Sequence, residues 1–211
     1  MESPLRAGSD DPQLRLIETA LWDGAGCPRL AGHLARLARG ARALGWPCDT
    51  AQAGAALTGP KGQPARLRLT LDRAGRVAVT QAALPPSPPL WHLALAGARL
   101  DADDPWLRLK TTRRAHYDAA RAALPPGIHE AIFLNQRGEV CDGTITTVFF
   151  DRGEGLCTPP LASGLLDGVL RAEMLASRAC REELLAGDDL PRVRLWVGNA
   201  LRGLMPATWA G

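Results

Sequence analysis

Only two lysines, Lys61 and Lys110, stand among the 25 basic residues of this 211-residue chain. Lys61 sits in GPKGQP, a Gly/Pro-rich loop in which a solvated charge is the plain reading. Lys110 sits in LRLKTTRRAHYD, between Arg108 and the pair Arg113 and Arg114. Arginine stays protonated in proteins. A lysine that is buried or crowded by positive charge can lose its proton and attack a carbonyl to form a Schiff base. The neighbouring guanidiniums would lower the pKa of the Lys110 amine. A solvated surface charge is the alternative, and this stretch alone leaves the two readings level.

Three further features carry chemistry. Asp142, in GEVCDGT, is a carboxylate at a strand end after a turn, and capping that turn is its ordinary alternative role. Arg36, in HLARL, can clamp a phosphate in a two-pronged fork, although the helical wheel favours a solvated arginine there. LLDGVLR presents Gly168 at the start of a helix, where backbone N–H groups suit an anion; Asp167 would compete with that anion if it capped the helix. An amine, a carboxylate, an arginine and a helix N-terminus are the parts needed to hold pyridoxal phosphate. The amine bonds the aldehyde carbon, the carboxylate keeps the pyridine nitrogen protonated, and the last two grip the phosphate.

The elements that must position these residues are legible in the apolar pattern. Residues 1–13 are polar and read as a mobile lead. Residues 14–22 (LRLIETALW) read as a strand, Asp23 to Gly26 as a turn, and residues 30–44 as a helix with Leu34, Leu37, Ala38, Ala41 and Leu44 on one face. Gly45 and Pro47 stop that helix. A short helix near residues 50–57 and a hairpin of residues 65–71 and 76–81 follow. Residues 84–89 (LPPSPP) form a stiff spacer. The expected organisation is therefore a small domain of residues 1–84, a linker of residues 85–89 and a larger domain of residues 90–211. In the second, Trp106, Arg108 and Lys110 alternate with Leu107 and Leu109, as a strand would. A helix over residues 113–124, strands over 130–135, 139–142 and 144–151, a helix over 169–185 and a strand over 192–197 complete the pattern.

Composition narrows the class. Lys+Arg 25 against Asp+Glu 22 gives a net charge of +3, too small and too evenly spread to argue for nucleic acid. No apolar run is long enough for a membrane span, and the first residues lack a signal peptide's apolar centre. The five cysteines are widely spaced without a CxxC pair, which points away from a zinc site or a disulfide framework and towards a reducing, cytoplasmic compartment. DGAG and RGEG do not match a dinucleotide fingerprint.

Four segments in order resemble the class IV aminotransferase family, the fold-type IV pyridoxal phosphate enzymes. They are IETALWDG with HLARLARGARALG, LKTTRRAHYD, FLNQRGEVCDGTITTVFF, and LLDGVLR with VGNALRGLMPA. The family includes branched-chain and D-amino acid aminotransferases and 4-amino-4-deoxychorismate lyases. The resemblance implies an α/β (α+β) chain with a two-domain D-amino acid aminotransferase-like fold. It also implies pyridoxal phosphate in the interdomain cleft, a small amino substrate and a homodimer. It assigns Lys110 to the Schiff base, Asp142 to the pyridine nitrogen, and Arg36 to the phosphate. The backbone amides of Val169 and Leu170, with Asn199 and Ala200, are implied at the phosphate. Arg202 is implied at a substrate carboxylate, and Thr19 on a strand facing the cofactor.

The chain departs from the family pattern at several points. Asp142 replaces a glutamate, Thr147 an asparagine, Val169-Leu170 lacks a threonine hydroxyl and Ala200 a serine hydroxyl. Position 115 is alanine where a tyrosine is usual, and Tyr117 comes two residues late. These losses raise the alternative of a non-catalytic relative, against which the retained Lys110 argues. Between the enzymatic readings, the NALRG segment leans towards the lyase over the aminotransferase.

Overall fold

The computed structural model describes residue 5 and residues 10–211. Most of the expected polar lead at residues 1–13 lies outside the described residues. The chain forms two compact units, Met1–Pro86 with Leu109–Arg113, and Ser87–Arg108 with Arg114–Gly211. It first leaves unit 1 inside the proline-rich spacer.

In unit 1, strand β1 (Leu16–Trp22), helix α1 (Leu30–Leu44), helix α2 (Thr50–Ala56) and strands β2 (Ala65–Leu71) and β3 (Val77–Ala82) follow in order. The sheet is antiparallel in the order β1-β2-β3. Leu16, Glu18 and Ala20 lie opposite Leu71, Leu69 and Leu67, so alternation turns all six towards one face. That face meets α1: a Cβ on Gly40 would come within 2.8 Å of Leu16 Cδ2, so the glycine lets the helix sit close to this leucine. Gly45, left-handed at φ 72°, ends α1, and the Asp49 side chain caps α2 by accepting the N–H groups of Ala51 and Gln52.

The buried stripe of α1 is His33, Arg36, Leu37, Gly40, Ala41 and Leu44, spaced as one helical face. This differs from the wheel drawn from apolar residues alone. Leu34 and Ala38 are half-buried, whereas Arg36 is inside. Arg39 and Arg42 are exposed, as expected.

Unit 2 contains strands β4 (Trp91–Leu95), β5 (Glu130–Leu134), β6 (Val140–Gly143), β7 (Thr147–Asp151), β8 (Cys157–Thr158), β9 (Arg181–Glu182), β10 (Arg194–Asn199) and β11 (Gly203–Trp209). They form a mixed sheet in the order β6-β5-β4-β11-β10-β7-β8-β9. One side buries Leu93, Ile132, Val148, Phe150, Val197 and Met205. Helix α3 (Ala115–Ala122) sends Tyr117 and Ala120 onto a cluster of Leu100, Leu107, Phe133 and Cys141. Helix α4 (Val169–Ala176) covers Phe149 with Leu170, Met174 and Leu175.

Three local expectations give way to tertiary structure. Residues Pro105–Arg108 form a 3-10 turn instead of a strand, because the Asp104 carboxylate accepts the Trp106 N–H at 2.9 Å and its carbonyl accepts that of Leu107. The helix expected over residues 169–185 stops at Ala176, where the chain reverses through Arg178 at φ 58° and enters β9. Strand β11, to which the pattern assigned no element, forms because it pairs on both sides, antiparallel to β10 and parallel to β4.

Candidate active site

Lys110 belongs to unit 1, although the sequence grouped it with the later domain. The Ile17 N–H donates to the Lys110 carbonyl at 2.8 Å, the Thr112 N–H donates to the Arg15 carbonyl at 2.9 Å, and Leu16 bridges Thr111. Leu109–Arg113 thus lies as a short antiparallel edge beside β1. Leu16 and Thr111 face one way, so Ile17 and Lys110 face the other. Thr19 is two residues beyond Ile17 on that same face, directly opposite Arg68 of β2. Lys110 and Thr19 therefore share a sheet face, with Arg68 beside them. Arg68 was not among the expected site residues, although its alternation with Leu67 and Leu69 marks it as outward on β2.

Arg36 lies on the opposite, helix-covered side of this sheet. Its Nε donates to Glu18 Oε1 at 2.9 Å and its Nη2 to Glu18 Oε2 at 2.6 Å, a two-pronged ion pair. His33 Nδ1 meets the same Oε2 at 2.6 Å. All three side chains are buried, with Glu18 2% and His33 1% exposed. Burial pushes the Glu18 carboxyl up, but the charge and hydrogen bonds of Arg36 and His33 outweigh it and bring its pKa down to about 2. Glu18 and His33 were missed in the sequence; the available signal was a glutamate in the inward register of an otherwise apolar strand.

In unit 2, Asp142 is buried on β6, and its Oδ2 accepts the Leu166 N–H at 3.3 Å. The turn that follows is held from beneath by Glu130. This fully buried carboxylate accepts the N–H groups of Thr144 (3.0 Å) and Ile145 (3.2 Å) and the hydroxyls of Thr144 and Thr146. Gly143 leaves no room for a side chain, because a Cβ there would lie 2.6 Å from Thr146 Oγ1. Arg114 donates to the Thr144 carbonyl at 2.9 Å and pairs with Asp118 at 2.7 Å, while Arg108 donates to the Leu165 carbonyl. Tyr117 packs edge-on against Phe133 at 5.1 Å, and burial followed by the charge of Asp142 pushes its phenol above the usual range.

Helix α4 begins at Gly168 without a side-chain cap. Asp167, the expected competitor for an anion, instead pairs with Arg171 at 3.6 Å. A Cβ on Gly168 would lie 3.0 Å from Thr147 Oγ1, so the Thr147 hydroxyl stands beside the helix start. Leu170 packs over Gly198 of β10, where a Cβ would come within 2.7 Å of Leu170 Cδ2. Asn199 spends its side chain on structure. Its Oδ1 accepts the N–H groups of Leu201 (3.1 Å) and Arg202 (3.0 Å), and its Nδ2 donates to the Ile145 carbonyl at 3.2 Å. It shapes the turn carrying the buried Ala200 and ties it to the loop after Asp142. The Arg202 guanidinium lies over the Trp91 ring, 5.7 Å from its centroid.

Unit 1, taken by itself, holds an amine and two arginines; unit 2, taken by itself, holds a buried carboxylate, an uncapped helix start and a hydroxyl. Among the described residues there is no cluster of metal-binding side chains. No described helix is long and apolar enough to cross a membrane.

Comparison with known proteins follows the same outline. The family model described as amino-transferase class IV matches residues 15–209. A Schizosaccharomyces pombe protein described as a putative aminodeoxychorismate lyase is 30% identical over 192 residues, covering 83% of this chain and 80% of that protein. The Bacillus subtilis aminodeoxychorismate lyase is 33% identical over 90 residues, covering 37% of this chain and 29% of that protein. A solved structure from Mesorhizobium loti, described as a putative amino-acid aminotransferase, is 42% identical and superimposes with a TM-score of 0.87, covering 93% of this chain and all of that one.

Proposed function

Because the chain belongs to the amino-transferase class IV family, whose aminotransferases and lyases use pyridoxal phosphate, we propose that it is a 4-amino-4-deoxychorismate lyase. The reaction releases pyruvate and 4-aminobenzoate. The observation that carries this choice is the likeness to the S. pombe protein along four-fifths of its length. The Asn199-organised turn, which presents Arg202 beside a lyase-type segment, supports it.

The residues fit the cofactor. The start of α4 has no side-chain cap and offers the amides of Val169 and Leu170 to a phosphate. Arg36 offers a guanidinium already held in one orientation. Asp142 offers a buried carboxylate to a ring nitrogen. The hydroxyls missing at positions 170 and 200 have a substitute in Thr147, whose Oγ1 stands at the same helix start. When bound, the cofactor supplies an electrophilic carbon and a pyridinium ring that takes up an electron pair.

Lys110 would hold the cofactor through its Nζ, and the same amine would take the proton from the substrate carbon bearing nitrogen. Asp142 would hold a proton at the ring nitrogen, which is what lets the cofactor serve as the electron sink. The ether C–O bond to the three-carbon side chain then breaks. That fragment leaves as pyruvate, and the six-membered ring becomes aromatic without a change of redox state. Arg68 and Thr19, on the Lys110 face, are suited to a substrate carboxylate, as is Arg202. The active form is expected to be a homodimer.

The aminotransferase reading is favoured by the M. loti protein at 42% identity. In that case an amino donor would leave as its keto acid and a second keto acid would leave as its amino acid. Product analysis separates the two. Equal amounts of pyruvate and 4-aminobenzoate formed from 4-amino-4-deoxychorismate support the lyase. A keto acid formed only in the presence of a second keto acid, with no 4-aminobenzoate, overturns it.

A further inference from the structure

We infer that Glu18 is a positioning residue for Arg36: it locks the guanidinium by two bonds in the orientation in which it meets the cofactor phosphate, and His33 locks Glu18 in turn. This rests on the reading of Arg36 as the phosphate grip.

The geometry sets the direction of the argument. Glu18 takes Nε and Nη2 of Arg36 together, which fixes the plane of the guanidinium as well as its place. His33 Nδ1 bonds Oε2, the oxygen that also takes Arg36 Nη2, and so fixes the rotation of the carboxylate. The other ring nitrogen, Nε2, is buried and makes no hydrogen bond among the described residues. Among the described residues, the only polar contact of the His33 ring is therefore with Glu18.

Stability does not explain this triad. Three ionisable side chains fill the seam between β1 and α1, where neighbouring positions are filled by Leu16, Leu37 and Ala41. Attraction outweighs desolvation for the Glu18 carboxyl itself, yet replacing a whole buried ionic cluster by apolar side chains of similar volume is often neutral or stabilising. What apolar residues cannot supply is a guanidinium aimed before a ligand arrives. An arginine with a free side chain would have to give up its rotamer freedom on binding each phosphate. Arg36 has already done so. The cost is a nearby negative charge, so orientation, and not added positive charge, is what Glu18 contributes.

The experiment compares the affinity for pyridoxal phosphate with that for pyridoxal, which lacks the phosphate, by absorbance titration of cofactor-stripped protein. Wild type, Glu18→Gln, Arg36→Ala and the double variant form a cycle. The ratio of the two dissociation constants reports on the phosphate alone, and a general loosening of the fold moves both constants together. Arg36→Ala is expected to collapse the ratio. Glu18→Gln is expected to lower it about tenfold in the wild-type background and to leave it unchanged in the Arg36→Ala background. A ratio that stays the same or rises in Glu18→Gln, or falls equally in both backgrounds, overturns the positioning role while leaving Arg36 as the grip. A ratio that survives Arg36→Ala overturns the phosphate reading itself and the positioning role with it. Should Glu18→Gln fail to fold, the wild type decides by NMR. A slowly exchanging Arg36 Nε–H in the cofactor-free protein, assigned by its loss in Arg36→Lys, supports the clamp, and fast exchange overturns it.

Discussion

The Ile17 N–H donates to the carbonyl of Lys110 at 2.8 Å, so the backbone of the candidate catalytic lysine forms an edge of the β1 sheet. Its side chain can then be changed without disturbing that bond. Lys110→Ala and Lys110→Arg are expected to retain the wild-type melting temperature within about a degree or two, since neither touches the ladder. Both should lose the visible absorbance band of the cofactor-loaded protein and its fixation by borohydride, and turnover should drop roughly 10²–10⁴-fold or more. A persistent, borohydride-reducible band in Lys110→Ala would move the Schiff base to another amine.

Asp142→Asn retains the shape of the side chain and its contact with the Leu166 N–H but removes the charge. Cofactor affinity is expected to change little, whereas kcat should fall by about two orders of magnitude or more, because the ring nitrogen is no longer held protonated. Full activity in this variant would assign the proton-holding role elsewhere.

Thr147 Oγ1 stands beside Gly168 at the uncapped start of α4. Thr147→Val deletes the hydroxyl and retains the branched shape. Affinity for pyridoxal phosphate should weaken by about tenfold, the value of one modest hydrogen bond, with pyridoxal unaffected. Equal affinity of wild type and variant for the phosphate form would show that the hydroxyl lies outside the grip.

Leu170 occupies the space that a side chain on Gly198 would need. Gly198→Ala should cost about 1–3 kcal/mol in denaturant unfolding, and pairing it with Leu170→Ala should recover part of that loss. Additive costs in the double variant would mean that the two positions do not compete for one space.

The Glu18 carboxyl has its pKa lowered to about 2 in the folded chain from an ordinary value of 4.5. A depressed folded pKa gives stability that is fully present above pH 4.5 and is lost as the pH falls towards 2. Glu139, also brought down to about 2 by hydrogen bonding to Arg137, acts in the same window, so the comparison must be with a variant. Glu18→Gln should be less stable than wild type at pH 7, with the difference shrinking between pH 4.5 and pH 2. A difference independent of pH would mean that the charge of Glu18 is not what holds Arg36.

How much of this was legible in the sequence depends on how local each determinant is. The 15 residues of α1 follow from Leu37, Ala41 and Leu44 at helical spacing and from Gly45 as the stop, all within one stretch. The β2–β3 hairpin follows likewise from alternation around the Asp72–Gly75 turn. The chemical types of the candidate site, an amine at 110, a carboxylate at 142 and an anion-suited helix start at 168, were also legible, because an amine or a carboxylate is a property of the residue itself. Partners distant in sequence were not. The wheel exposed Arg36 because an isolated helix sees a charge as solvent-seeking; burial became possible only when Glu18, on another strand, met it at 2.6 Å. The Lys110 segment looked like a strand continuing from Trp106, whereas Asp104 turned Pro105–Arg108 into a 3-10 turn and β1 took Lys110 onto its edge. The resemblance put Asn199 at the phosphate, and only the folded chain shows that its side chain also braces its own turn. Residue type and period are written along the chain. Which charge meets which counter-charge, and which face a side chain takes, is decided where distant segments pack, because only there are desolvation and pairing determined together.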